Sequence, residues 1–175
     1  MIKDNLIFLR EFVKEFQNTG TCFPTSRKAA DELTAPLRGK RAPKRILELG
    51  PGTGSVTFPL IETMIDGDTL SICEINPRFM HELKVKLEAD PLYQQRKSQI
   101  DFYECPIQDF PEQNEKFDVI VCSLPFLNFE REMVEEIFQK LTRLSNQHAL
   151  LAAGTFSRCR SRQRSNRASN SRDSA

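Results

Sequence analysis

Apolar positions in this chain change period once. Over residues 1 to 17, Leu6, Leu9, Phe12, Val13 and Phe16 recur at spacings of three and four, which predicts an amphipathic helix. Lys3, Arg10, Lys14 and Gln17 fall on one polar flank, Asp4, Glu11, Glu15 and Asn18 on the other, and Asn18-Thr19-Gly20 ends the helix. A second helix is predicted from Thr25 or Ser26 as N-cap, after Pro24, to about Leu37, followed by a basic linker from Arg38 to Lys44. From Arg45 short apolar runs alternate with helical stretches. Strands are predicted at Arg45 to Leu49, Thr69 to Glu74, Ile100 to Glu104, Phe117 to Cys122 and Ala149 to Ala153. The helices between them run from Thr53 to Ile65, Pro77 to Ala89 (opened by Asn76), and about Glu130 to Leu144. Pro59 predicts a shortened or kinked start to the first of these. Strands joined by crossover helices imply a doubly wound, mainly parallel α/β sheet of Rossmann-like type.

Composition narrows the class. Among 175 residues, 39% are apolar and 28% charged, which suits one globular domain with a sizeable core. No apolar run approaches the roughly 18 to 20 residues of a membrane span, and no signal-peptide pattern opens the chain. Five cysteines without a CxxC pair and two isolated histidines give no zinc spacing and no disulfide framework, so no metal is expected and a reducing cytoplasm is.

The net charge of +1 hides an asymmetry. Residues 157 to 175 hold six arginines and one aspartate, giving +5, and the first 156 residues carry −4. This Ser/Arg/Asn tail lacks large apolar residues and is expected to be disordered, either as a nucleic-acid or anionic-surface tether or as a segment under no selection.

The chemistry concentrates in Glu48-Leu49-Gly50-Pro51-Gly52-Thr53-Gly54, where a strand turns into a helix. Glycines there permit positive φ and a ligand's approach to the main chain, while unpaired N–H groups of the helix start face it. The dinucleotide fingerprint laid on Gly50 and Gly52 requires Gly or Ala at position 55, and this chain has Ser55. An acidic residue two positions before the first glycine is no part of that fingerprint either.

These residues resemble the class I S-adenosylmethionine-dependent methyltransferases, whose first motif is E/D-x-G-x-G-x-G at this turn. The resemblance implies S-adenosyl-L-methionine as cofactor. Gly50, Gly52 and Gly54 would make room for its methionine moiety, with Glu48 near the ammonium group. Glu74, ending the second strand, would take the ribose hydroxyls. Gln108 and Asp109, beyond the third strand, would lie near the adenine, although Asp109 also reads as an N-cap or loop residue. Ser123 completes the implied cofactor set, and Asp118 reads as structural.

Leu124, Pro125, Phe126 and Phe129, after the fourth strand, occupy the acceptor side in that family. Nucleic-acid amino methyltransferases typically carry N/D-P-P-Y/F there, whereas this chain reads Ser123-Leu124-Pro125-Phe126, which weakens base methylation. The helix containing FLREF, F-P-T-S-R, ELGPGTG, E-I-N-P-R-F and S-L-P-F-L-N-F together resemble the bacterial phospholipid N-methyltransferases, relatives of the ribosomal RNA adenine dimethylases. That resemblance implies N-methylation of phosphatidylethanolamine by a cytoplasmic enzyme, peripheral on a phospholipid membrane surface. RNA or other N-methylation, and a catalytically silent cofactor-binding module, remain the alternatives. The stripe of residues 1 to 17 would face lipid or pack on the sheet, and Phe126 and Phe129 would contact a quaternary ammonium or belong to the core. No residue is singled out as general base.

Three regions result: N-terminal helices and linker (1–44), a cofactor-binding α/β domain (45–156) and the tail (157–175). The family continues with two more strands where the tail begins, so a truncated or frame-shifted end is expected, with the fifth strand left as an apolar edge.

Overall fold

A computed structural model describes residues 26–112 and 114–153. The helix expected over residues 1 to 17 and the tail lie outside the described residues. Five parallel strands form one sheet in the order β3-β2-β1-β4-β5: β1 Arg45–Leu49, β2 Thr69–Cys73, β3 Ile100–Tyr103, β4 Phe117–Cys122 and β5 Ser145–Ala153. The order reverses between β1 and β4. This is the position where open α/β sheets hold ligands, beyond the carboxyl ends of the strands.

Alternate residues of β1 serve opposite faces. Ile46 joins Leu70, Ile72, Val119 and Val121 beneath α1 (Arg27–Thr34), α2 (Thr57–Thr63) and α3 (Pro77–Glu88). Leu47 and Leu49 join Phe110, Phe117 and Ile120 under α5 (Arg131–Leu144). A parallel sheet covered on both faces needs runs of apolar residues rather than strict alternation, and β1 and β2 are buried along nearly their whole length.

Caps set the helix starts. Ser26 Oγ accepts from the Ala29 N–H at 3.2 Å, and Asn76 Oδ1 accepts from the Arg78 N–H at 3.0 Å with Pro77 in the first helical position. The same Asx-Pro grammar opens α4 (Pro91–Arg96), where Asp90 Oδ1 accepts from Leu92 and Tyr93 N–H. The sequence did not suggest α4, because six residues with one buried side chain, Tyr93, show no periodic stripe.

Two boundaries differ most from expectation. α2 begins at Thr57, because residues 52 to 56 form the glycine-rich turn; Pro59 then sits in the first helical turn, where its missing N–H costs no helical bond. β5 begins at Ser145, four residues early. Its register slips between the Phe117–Ser145 and Val119–Leu150 pairs, and Asn146 in the irregular stretch donates to Asp118 at 2.6 Å. Asp118 also accepts from the Arg45 N–H, which makes it structural. Among the described residues β5 is an edge strand, with Leu150 and Leu151 each 41% exposed. No helix of the described residues is long and apolar enough to cross a membrane.

Candidate active site

Every sequence-predicted site residue lies at or just beyond the carboxyl ends of β1, β2, β3 and β4, on adjacent strands of the sheet. The turn after β1 carries Gly50, Gly52 and Gly54 at φ +71°, +55° and +97°. Two of these glycines are required by close packing. A Cβ at Gly50 would stand 2.8 Å from Leu124 Cδ2, and one at Gly54 would stand 2.8 Å from Leu83 Cδ1 and 2.9 Å from Phe58 Cε2. Gly52 differs, since a Cβ there would meet nothing within 4 Å. The turn is therefore packed from behind and open at Gly52.

Glu74, one residue beyond β2, ties the turn to the second strand end. Its Oε2 accepts from the Gly52 N–H at 3.2 Å and its Oε1 from the Asn76 N–H at 2.9 Å. Burial raises its carboxyl pKa, opposed by the backbone N–H groups of Asn76, Gly52 and Ile75. Glu74 thus props the glycine turn from a buried position at the end of β2.

Glu48 is fully buried on β1, on the Ile46 face, and neither carboxylate oxygen has a hydrogen-bond partner among the described residues. Burial, first, and the neighbouring charge of Glu74 push its carboxyl up to about 8. The Thr57 hydroxyl pulls the other way but completes no hydrogen bond, its own Oγ1 being unpartnered. A buried carboxyl left without donors is costly unless something cationic arrives to pair with it.

Three more buried polar atoms at this end lack partners: Ser123 Oγ, Gln108 Oε1 and Asn76 Nδ2. Ser123 follows β4, and its N–H donates to Leu49 O at 2.9 Å, which fixes the β4 end against the β1 end. Gln108 and Asp109 lie in a single 3₁₀ turn (Ile107–Asp109) after β3; Gln108 is half-buried and Asp109 exposed. Leu124 covers Gly50, while Phe126 and Phe129 meet edge to face at 6.2 Å. Phe126 also stacks on Phe138 of α5 at 5.4 Å. The sequence had marked neither Thr57 nor Phe138, and had read Asn76 only as a cap. Thr57 is visible beforehand only as the residue one helical turn past the glycines, and Phe138 only as part of the α5 pattern.

The sequence profile described as "Methyltransferase domain" matches residues 46–148, more than half of the chain. The chain belongs to this methyltransferase-domain family. A curated relative, a "Probable dimethyladenosine transferase" of Caenorhabditis elegans, is 35% identical over 86 residues, which are 49% of this chain and 25% of that protein. Among solved structures, the CcbJ methyltransferase of Streptomyces caelestis superposes with a TM-score of 0.59 at 20% identity, over 75% of this chain and 49% of that one. An S-adenosylmethionine-dependent methyltransferase of Thiobacillus denitrificans, in complex with S-adenosyl-L-homocysteine, gives a TM-score of 0.55 at 20% identity, with coverage of 75% and 49%. The chain spans about half the length of these structures and a quarter of the curated relative. At such identities the structures attest the Rossmann-like methyltransferase fold. Among the described residues no cluster of His, Cys, Asp and Glu could hold a metal ion.

Proposed function

We propose that this domain binds S-adenosyl-L-methionine and transfers its methyl group to a nitrogen, the ethanolamine headgroup of a phospholipid being the acceptor. The observation that carries the cofactor reading is Glu48, a buried carboxyl with two unpartnered oxygens beside a turn open at Gly52. A cofactor bearing an ammonium group supplies the missing cation, directly or through water. Glu74 would accept from the ribose hydroxyls, and Gln108 with Asp109 would meet the adenine. Ser123 Oγ offers a further unpartnered polar atom at the β4 end.

When bound, S-adenosylmethionine supplies a methyl group made electrophilic by its sulfonium. The protein then needs no nucleophile of its own, because holding acceptor and donor in line can supply roughly 7 to 11 kcal/mol. Leu124, Pro125, Phe126 and Phe129 would form the acceptor side. The Phe126–Phe129 pair presents aromatic surface, which attracts an increasingly methylated ammonium. The motif resemblance to phospholipid N-methyltransferases supports the lipid acceptor, and with it a peripheral place on a cytoplasmic membrane face.

A second reading, N-methylation of adenine in RNA, is favoured by the probable dimethyladenosine transferase relative. Ser123, standing where amino-methylating nucleic-acid enzymes carry Asn or Asp, weighs against it.

Calorimetric titration with S-adenosyl-L-homocysteine, followed by labelled-methyl transfer to phosphatidylethanolamine vesicles and to RNA in parallel, tests both. Binding with label in lipid is expected. Label in RNA alone would replace the acceptor, and absence of binding would overturn the cofactor reading.

A further inference from the structure

Cys73 and Cys105 meet beneath the cradle, and nothing in the proposed methyl transfer uses them. Cys73 is the last residue of β2, 1% exposed, and its Sγ donates to the Cys105 carbonyl oxygen at 3.3 Å. Cys105 lies two residues beyond β3, half-buried, and packs against the core layer that contains Cys73. The contact between the two thiols lowers the Cys105 pKa; burial and Asp109 oppose this, and Lys140 of α5 assists it. The same contact, with burial, holds Cys73 in its protonated form. Cys122, buried at the end of β4, provides the contrast: burial pushes its thiol up to about 11. Of the three cysteines among the described residues, Cys105 is thus both reachable and activated, and its neighbour is a second thiol.

Each member of the pair adjoins an arm of the cradle. Cys73 is followed directly by Glu74, whose carboxylate holds the Gly52 and Asn76 N–H groups. Cys105 is followed by Pro106 and by the turn that carries Gln108 and Asp109.

We propose that Cys73 and Cys105 form a peroxide-oxidisable dithiol whose disulfide state shuts the cofactor cradle. The Cys105 thiolate attacks one peroxide oxygen; the O–O bond breaks, hydroxide leaves and takes a proton to become water, and Cys105 becomes a sulfenic acid. Once Cys105 is a sulfenic acid, the thiolate contact that held the Cys73 proton is gone; Cys73 yields that proton to the sulfenic oxygen and its sulfur attacks the Cys105 sulfur, the oxygen leaving as a second water. Two thiols give up two electrons, hydrogen peroxide takes them, and a dithiol reductant reverses the change. The bond replaces the Cys73–Cys105 carbonyl contact and draws the residue before Glu74 towards the residues before Gln108, displacing both arms from the positions that would receive ribose and adenine. By linkage, a ligand already in the cradle opposes oxidation.

The functional consequence rests on the cofactor reading above; the cross-link does not. The test treats the full chain, dilute and reduced, with one equivalent of hydrogen peroxide and maps its cysteines by mass spectrometry. A Cys73–Cys105 cross-link with Cys122 left as a thiol is expected. The S-adenosyl-L-homocysteine Kd should rise at least tenfold, recover with dithiothreitol, and protect the pair when the ligand is saturating. In Cys73→Ala, dimedone should trap a sulfenic acid at Cys105, and in Cys105→Ala peroxide should leave the affinity unchanged. Cys73 and Cys105 remaining thiols, or pairing elsewhere, overturns the dithiol. A cross-link that leaves Kd within twofold overturns the gating. A reduced chain that never binds S-adenosyl-L-homocysteine would refute the cofactor reading and the gating together, while the map still decides the dithiol.

Discussion

The two ends of the sheet each bury a carboxyl, and the two are treated in opposite ways. At the amino end Asp68, just before β2, is fully buried and fully satisfied. Arg41 grips it bidentately at 2.7 and 2.5 Å, and the Lys44 and Ile65 N–H groups donate at 2.7 and 2.9 Å. Burial works against the charge, but the Arg41 and backbone hydrogen bonds outweigh it and hold the Asp68 pKa below the ordinary carboxylate range. At the carboxyl end Glu48 is as buried and has no such partners, and its pKa moves up to about 8. One carboxyl is a staple, tying the basic linker to the loop before β2. The other has no hydrogen-bond partner among the described residues. Of these two buried carboxyls, the unsatisfied one lies at the carboxyl end of the strands, where open α/β sheets take their ligands.

The comparison can be broken most severely at the staple. Asp68→Ala would leave Arg41, 10% exposed, without its counter-charge, and should destabilise the fold by about 3 to 5 kcal/mol. Urea denaturation checks this, and ligand affinity of the remaining folded protein should hold. Because the folded pKa is depressed, the staple's contribution is present above the unfolded value near 3.8 and is lost as pH falls through the lower folded value. A loss below about 1 kcal/mol at neutral pH would mean that Asp68 does not anchor the linker.

At the site end, Glu74→Gln keeps the shape but removes the charge. Affinity for S-adenosyl-L-homocysteine should fall by about 1.5 to 3 kcal/mol, roughly ten- to hundredfold, read by calorimetry. An unchanged affinity would refute the ribose role.

The contrast is sharpened further through pH. The Glu48 pKa is raised on folding from 4.5 to about 8, so the native state holds a proton that the unfolded chain has lost. Its contribution to stability is therefore complete below about 4.5 and declines as pH rises towards 8, by at most about 1.4 kcal/mol per pH unit. Glu48→Gln should flatten that slope in urea titrations at pH 6 and pH 8. In the unsubstituted protein, ligand affinity should climb over the same interval as the carboxyl ionises, and in the variant it should not. Parallel slopes in the two proteins would show that Glu48 does not titrate there.

Much of this was legible beforehand, for identifiable reasons. The strands Arg45–Leu49 and Phe117–Cys122 fall where the apolar runs predicted, because a central parallel strand buried on both faces admits almost nothing else. Asn76-Pro77 announced α3 because capping is a local hydrogen bond. The early start of β5 was not legible: Ser145 to His148 are polar, and their pairing depends on Asp118, 28 residues from Asn146, accepting from that side chain. Glu48 and Glu74 could be chosen from their positions relative to the glycines. That Glu74 is bound to the turn by the Gly52 N–H, and that Glu48 has no hydrogen-bond partner among the described residues, could not.

The sequence by itself determined the alternation of strands and helices, the glycine turn and the carboxylates at two strand ends, because period, capping and positive φ are properties of neighbouring residues. Only the tertiary structure decided which buried groups would be satisfied. Asp68 finds Arg41 across 27 residues, Glu48 finds no donor among the described residues, and Cys73 comes to rest against Cys105 across 32. Satisfaction of a buried polar group depends on what the rest of the chain brings to it, and the strand order β3-β2-β1-β4-β5 controls that delivery.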